Sequence, residues 1–231
     1  MHSKLVHRLG GAALAAAFAA STSAATGAVF FSEYVEGSGS NKALEVFNGG
    51  AFPVDLTGFE VKVFTNGSAT PSGTLSLAGH SVEGSGTLVI THPSAAPTLL
   101  AHAQMTSGVL NFNGDDAVVL WQDGVAVDRI GQVGVDPGDA WVSGAISTKD
   151  QTLRRLADIL TGDLFPTGTF DVGLGWVSYA VDTFSDLGRH ASTPPSVPLP
   201  QSMALLAFAL GSLGLLRRRQ GPRPDAPRSL P

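Results

Sequence analysis

Residues 117–130 read Ala-Val-Val-Leu-Trp-Gln-Asp-Gly-Val-Ala-Val-Asp-Arg-Ile. Two strand-forming runs, Ala117 to Gln122 and Val125 to Ile130, flank an Asp123-Gly124 pair that supplies the positive φ angles of a tight turn. The stretch therefore predicts an antiparallel hairpin, and within it Val119 and Trp121 share one face. Outward from it, runs of the same kind recur with turn punctuation between them: Val29 to Val35, Ala43 to Asn48, Phe59 to Thr65, Thr87 to Thr91 and Trp176 to Ala180. In Phe59 to Thr65 the apolar Phe59, Val61 and Val63 alternate with Glu60 and Lys62, the pattern of a half-buried strand. With 28 glycines and no clear helix, the chain reads as an all-β sandwich.

One segment reads two ways. Asp150 to Leu160 carries good helix formers with Leu153, Leu156 and Leu160 at helical spacing, which predicts a short amphipathic helix; the alternative is an extended edge segment.

The two ends of the chain read as addresses. Lys4, His7 and Arg8 precede an apolar stretch from Leu9 to Ala20 and a run of small residues, so residues 1–25 read as a signal peptide cut near Ala25. At the other end Val197, Pro198, Leu199 and Pro200 precede an apolar run from Met203 to Leu216, closed by Arg217, Arg218 and Arg219. Counted from Val197 the run is about 20 residues, the lower edge of what crosses a hydrocarbon core of roughly 30 Å. Gly211, Ser212 and Gly214 suit close helix contacts, and the arginines are expected to stay cytoplasmic. Residues 191–200 thus read as a Pro/Ser linker with a sorting motif, 201–219 as a transmembrane helix with its basic stop, and 220–231 as a disordered tail.

This ending resembles the PEP-CTERM family of sorting signals, in its Val-Pro-Leu-Pro variant. The resemblance implies an exosortase-type sorting enzyme as a partner, membrane attachment through the C-terminal helix, and delivery to the cell envelope or the extracellular matrix.

Removing both ends changes the electrostatics. The whole chain has a net charge of -5; without Lys4, Arg8, Arg217, Arg218, Arg219, Arg223, Arg228 and Asp225, 7 basic residues face 18 acidic ones, a balance of -11. Such a module repels phosphate backbones, so nucleic acid is not expected as a partner, and cations, cationic polymers or polar glycans fit better. The cysteine count is 0, which removes disulfides, thiolate nucleophiles and thiolate metal ligands. About 165 residues suffice for one core without staples.

Residues 28–190 resemble the lamin-tail domain family in its bacterial, secreted form. The blocks that carry the likeness are Phe31 to Gly37, Asn41 to Asn48, Asp55 to Gly58, Phe112 to Ala117, then Asp128, Ile130 and Gly131, and Thr152 to Arg155. The resemblance implies an immunoglobulin-like β-sandwich in which Thr152 to Leu156 is extended. It implies an accessory or adhesive module and supplies no catalytic residues.

The residues themselves offer one candidate chemistry. Glu33, Glu45, Asp115 and Asp116 are oxygen ligands that could gather a Ca²⁺ ion at a sheet end, with Glu36, Asp128, Asp136 and Asp139 as further carboxylates. The competing reading makes them turn and strand-end carboxylates that accept backbone N–H bonds. No EF-hand spacing is present, and His80, His92, His102 and His190 are dispersed, without HExxH or a Gly-x-Ser-x-Gly elbow. Trp121, Trp141 and Trp176 read first as residues that plug the sandwich core or cover its open end, and alternatively as sugar-stacking platforms; Trp121, alternating with Val119, favours burial, and Trp141, after Asp136 to Asp139, is the better exposed candidate. The chain therefore reads as an exported, non-enzymatic binding or structural module with exopolysaccharide or envelope proteins as candidate ligands. The alternative is a secreted metal-dependent hydrolase, nuclease or phosphoesterase-like, or an accessory module of one.

Overall fold

The computed structural model describes residues 29–192. The signal peptide, the sorting motif, the transmembrane helix and the tail read from the sequence lie outside the described residues. Chain order is β1 (Val29–Glu36), β2 (Lys42–Asn48), β3 (Val54–Asp55), β4 (Phe59–Phe64), β5 (Gly73–Ser76), β6 (Ser81–Val82), β7 (Thr87–Thr91), α1 (Pro97–Leu100), β8 (Met105–Thr106), β9 (Ala117–Gln122), β10 (Val125–Ile130), β11 (Val142–Ser143), β12 (Ile146–Ser147), β13 (Gln151–Arg155) and β14 (Trp176–Ala180). Every run expected to be a strand is one, to within a residue or so at each end.

A six-stranded sheet in the order β14-β13-β1-β2-β7-β8 faces a four-stranded sheet in the order β10-β9-β4-β5. Pairing is antiparallel except between β7 and β8. Phe31, Tyr34, Leu44, Val46, Ile90 and Leu153 from the first sheet meet Val61, Val63, Val118, Leu120 and Ile130 from the second in one continuous core. The result is a nearly all-β arrangement, consistent with an immunoglobulin-like sandwich. The β9–β10 turn forms as the sequence requires, with Asp123 at φ 49° and Gly124 at φ 81°. Trp121 is half-buried on the flank of β9, with the Lys62 ammonium 4.8 Å from its ring centre.

The structure decides the segment at 150–160 against the helix. Gln151–Arg155 is a strand, and it is not at an edge, because β14 pairs outside it. Helix propensity is outweighed by tertiary contacts: Leu153 enters the core, and the buried Arg155 donates to the Phe31 carbonyl at 3.0 Å while pairing with Asp128. Leu156, part of the proposed helical stripe, is left exposed.

A second, smaller core lies on the outer face of the six-stranded sheet. Val35, Ala43 and Val89 on the strands are covered by Ala95 and Leu99 around α1 and by Phe184 and Leu187 from the segment after β14. This segment, residues 181–190, runs as a strap across the sheet. Among the described residues no helix is long and apolar enough to cross a membrane.

Candidate functional site

The acidic residues singled out by the sequence fall into separate places. Asp115, with Glu36, Asn113, Gly114, Asp139 and Lys149, lines an open cleft of about 280 Å³ at the sheet end where β1 finishes and the loop before β9 begins. Gly114 packs directly against Lys149, which leaves no room for a side chain at position 114. Inside the cleft the charges are already opposed. The Lys149 ammonium lies 3.5 Å from Asp139, and Glu36 is paired with Lys42 and accepts the Asp150 N–H.

Asp116 turns away from this cleft. Its buried carboxylate accepts the Asn66 N–H at 2.9 Å and the Asn113 N–H at 2.8 Å, which ties the loop after β4 to the loop before β9. Burial raises its pKa, and the two amide bonds counteract that rise.

Glu33 and Glu45 do not line the cleft and lie beneath the strap. They are direct partners in the β1–β2 register, just past a β-bulge at Phe31/Glu33, and both are buried. Glu45 accepts the Ser32 hydroxyl at 2.6 Å and the Gly188 N–H of the strap at 2.6 Å. Glu33 accepts the Arg154 Nε–H at 3.2 Å, and its other oxygen, Oε1, is buried without a donor. Desolvation raises the Glu33 carboxyl to about 8, with Arg154 opposing the rise and Glu45 adding to it. Desolvation likewise raises Glu45 to about 7 against the Ser32 and Gly188 bonds.

The structure thus does not assemble Glu33, Glu45, Asp115 and Asp116 into one cation site. A guanidinium occupies Glu33, protein donors fill Glu45 and Asp116, and only Asp115 faces the cleft. Among the described residues no three histidine, aspartate or glutamate side chains converge as a metal site would require.

The sequence offered Asp128 only as a further candidate carboxylate; the structure puts it in the group that holds the two sheets together at their corner. Asp128, fully buried, accepts the Phe31 N–H and the Asp163 N–H, each at 2.8 Å, and pairs with Arg155. The Arg155 guanidinium stacks 3.9 Å from the Trp176 ring, and the neighbouring Arg129 pairs with Asp163 at 2.7 Å. An Arg-Arg dipeptide closing the run Gln151-Thr152-Leu153 was the available signal, since cations are seldom buried without partners.

Trp141 follows the core reading and not the platform one. It is not exposed: only 8 % of its surface is accessible, its ring packs edge-on to Phe170 at 5.8 Å, and it lies against Gly131. Trp176 is buried and Trp121 half-buried, so none of the three tryptophans offers a flat platform to a sugar. The histidines stay apart, with His102 Nδ1 at 3.2 Å from the Leu187 carbonyl and His190 edge-on to Phe47 at 4.7 Å.

A family model described as Lamin Tail Domain matches residues 22–134, from before β1 to just past the β9–β10 hairpin. The match supports the lamin-tail family, whose immunoglobulin-like domains are non-catalytic. Comparison with curated proteins gave no match. Comparison with solved structures gave none either.

Proposed function

We propose that this lamin-tail-like sandwich is an exported, non-enzymatic binding or structural module, sorted to the cell envelope or extracellular matrix by its C-terminal signal. One observation carries the non-enzymatic part. The buried carboxylates are engaged by the fold itself: Asp128 by Arg155 and two amides, Asp116 by two amides, Glu45 by a hydroxyl and an amide, Glu36 by Lys42, and Glu33 by Arg154 through one oxygen while its other oxygen is sealed inside the protein away from any substrate. A general acid or base must instead point a free lone pair or proton at a substrate. The open cleft presents Asp115 and Asp139, and the Lys149 ammonium lies 3.5 Å from Asp139.

The export and sorting part is supported by the sequence of the two ends. A charged, apolar and small-residue leader precedes the domain; Val197 to Pro200, the apolar run and Arg217 to Arg219 follow it. The partners that fit are an exosortase-type enzyme during transit and, once outside, exopolysaccharide or envelope proteins.

Two measurements test this reading. Purified protein assayed on nucleic acid, phosphoester and glycan substrates with Ca²⁺ or Mg²⁺ should show no turnover. Turnover that disappears in Asp115→Ala or Asp116→Ala would establish the metal-dependent hydrolase instead. Intact mass of the protein isolated from cells should lack Arg217 to Pro231, and retention of that tail would make the C-terminus a plain anchor.

A further inference from the structure

We propose that residues 181–190 form a proton-controlled latch over the outer face of the six-stranded sheet, closed while the Glu33–Glu45 pair holds a proton and opened when both carboxylates are ionised.

The strap is attached in a way that makes it separable. Among the described residues, no backbone–backbone hydrogen bond ties residues 181–190 to the strands; the one they make is internal, from Leu187 N–H to the Phe184 carbonyl. Side chains do the holding. At the near end Asp182 accepts the Ser38 N–H and the Asn41 Nδ2–H, each at 3.0 Å. In the middle Phe184 and Leu187 fill the small outer core, and at the far end His190 lies against Phe47. The charged contact is central: Glu45 takes the Gly188 N–H, and Arg154 lies between Glu33 at 3.2 Å and Asp186 at 3.8 Å.

The titratable and charged groups facing this point come from five places, and Tyr179 of β14 stacks on the Arg154 guanidinium at 4.1 Å. Glu33 comes from β1, Glu45 from β2 and Arg154 from β13; the strap brings Asp186, Arg189 and His190, with Asp182 at its start. His102 faces it from the turn after α1, and Arg155 lies behind His190. Arg189 is mostly exposed and is paired with Asp186 at 2.8 Å. Burial and Arg155 lower the His190 pKa, which disfavours its charged form here. Among the described residues, the partly buried Arg154 is therefore the cation that Glu33 and Asp186 share.

With one proton in the pair, that balance is satisfied. With none, two carboxylates stand opposite each other on adjacent strands, and Glu33 Oε1 has no donor. Water is the remaining source of donors, and water reaches the pair when the strap lifts. The raised carboxyls, about 8 for Glu33 and about 7 for Glu45, put the change near neutral and mildly alkaline pH. Lifting the strap takes Phe184 and Leu187 off Val35, Ala43 and Val89, leaving that apolar strip covered only by Ala95 and Leu99 around α1.

Amide hydrogen exchange on the full-length protein tests the latch, with each amide's rate divided by its intrinsic rate at the same pH. Between pH 6 and pH 9 the protection of Leu187 and Gly188 is expected to fall at least tenfold while that of Val61 and Val118 holds. In Glu33→Gln, which removes one ionisable partner and keeps the shape, strap protection is expected to stay level. Glu45→Gln should behave likewise and decides the question if the first variant does not fold. Constant protection in the wild type, an equal fall in strap and core, or an unchanged fall in the variants would each overturn the proposal.

Discussion

Gly131 makes room for Trp141. A Cβ on Gly131 would lie 2.7 Å from the indole ring, and the residue holds φ at 83°, where side chains are strained. The pair turns a loop tryptophan inward and closes the sandwich beside Phe170.

Gly131→Ala should therefore destabilise the domain by roughly 2–4 kcal/mol, combining backbone strain with overpacking. Urea unfolding measures the loss, and a red shift in tryptophan emission should accompany it if the Trp141 ring is pushed toward water.

Asp128→Ala should cost roughly 3–5 kcal/mol, because it strands the buried Arg155 guanidinium and leaves the Phe31 and Asp163 N–H groups without their acceptor. Denaturant midpoints compared with those of Asp139→Ala, an exposed carboxylate in the cleft, give the contrast.

Asp116→Ala should cost about 1–3 kcal/mol through loss of its two amide bonds. Since those bonds are structural, adding calcium or a chelator should leave the wild-type melting midpoint unchanged. A ligand that binds only the folded state would raise it.

The pH dependence has a definite sign. Glu33 and Glu45 titrate higher in the folded chain than the ordinary 4.5, at about 8 and about 7, so the folded state holds protons that the unfolded chain releases. Their contribution is full below pH about 4.5 and is lost as pH rises through 7 and 8. Asp182 works in the opposite direction: burial raises its pKa, but the Ser38 and Asn41 bonds outweigh this and lower it, so its contribution fades in acid. Melting midpoints should decline from pH 5.5 to pH 9, and Glu33→Gln should flatten the decline.

The strands were legible in the sequence because alternation and turn chemistry are local. Asp123-Gly124 names its own turn, and Phe59 to Val63 shows its own buried face. The short strands Val54–Asp55, Ser81–Val82 and Met105–Thr106 were not legible, since two-residue pairings carry no period and arise only from neighbours. Gln151–Arg155 read as a helix candidate for the same reason: its partner β1 is distant in sequence. The candidate site was legible in its residue types and not in its geometry. Glu33 and Glu45 could be picked out as carboxylates, but their opposition across β1 and β2 depends on the bulge at Phe31/Glu33. Trp141 looked exposed because a Pro-Gly loop precedes it, and its burial depends on a glycine ten residues earlier.

The place of β1 in the six-stranded sheet has a consequence for how the chain is made. This first strand lies between β2 and β13, and the Glu33–Arg154 contact spans 121 positions. Loops of that length close slowly, because their entropy is lost before the contacts they permit are gained. A nascent chain carrying everything up to the β9–β10 hairpin still has one flank of β1 bare, with unpaired amides and carbonyls open to other chains. Truncation before Arg155 should accordingly give an aggregating fragment rather than a smaller domain, and folding is completed only after residues 151–180 have arrived.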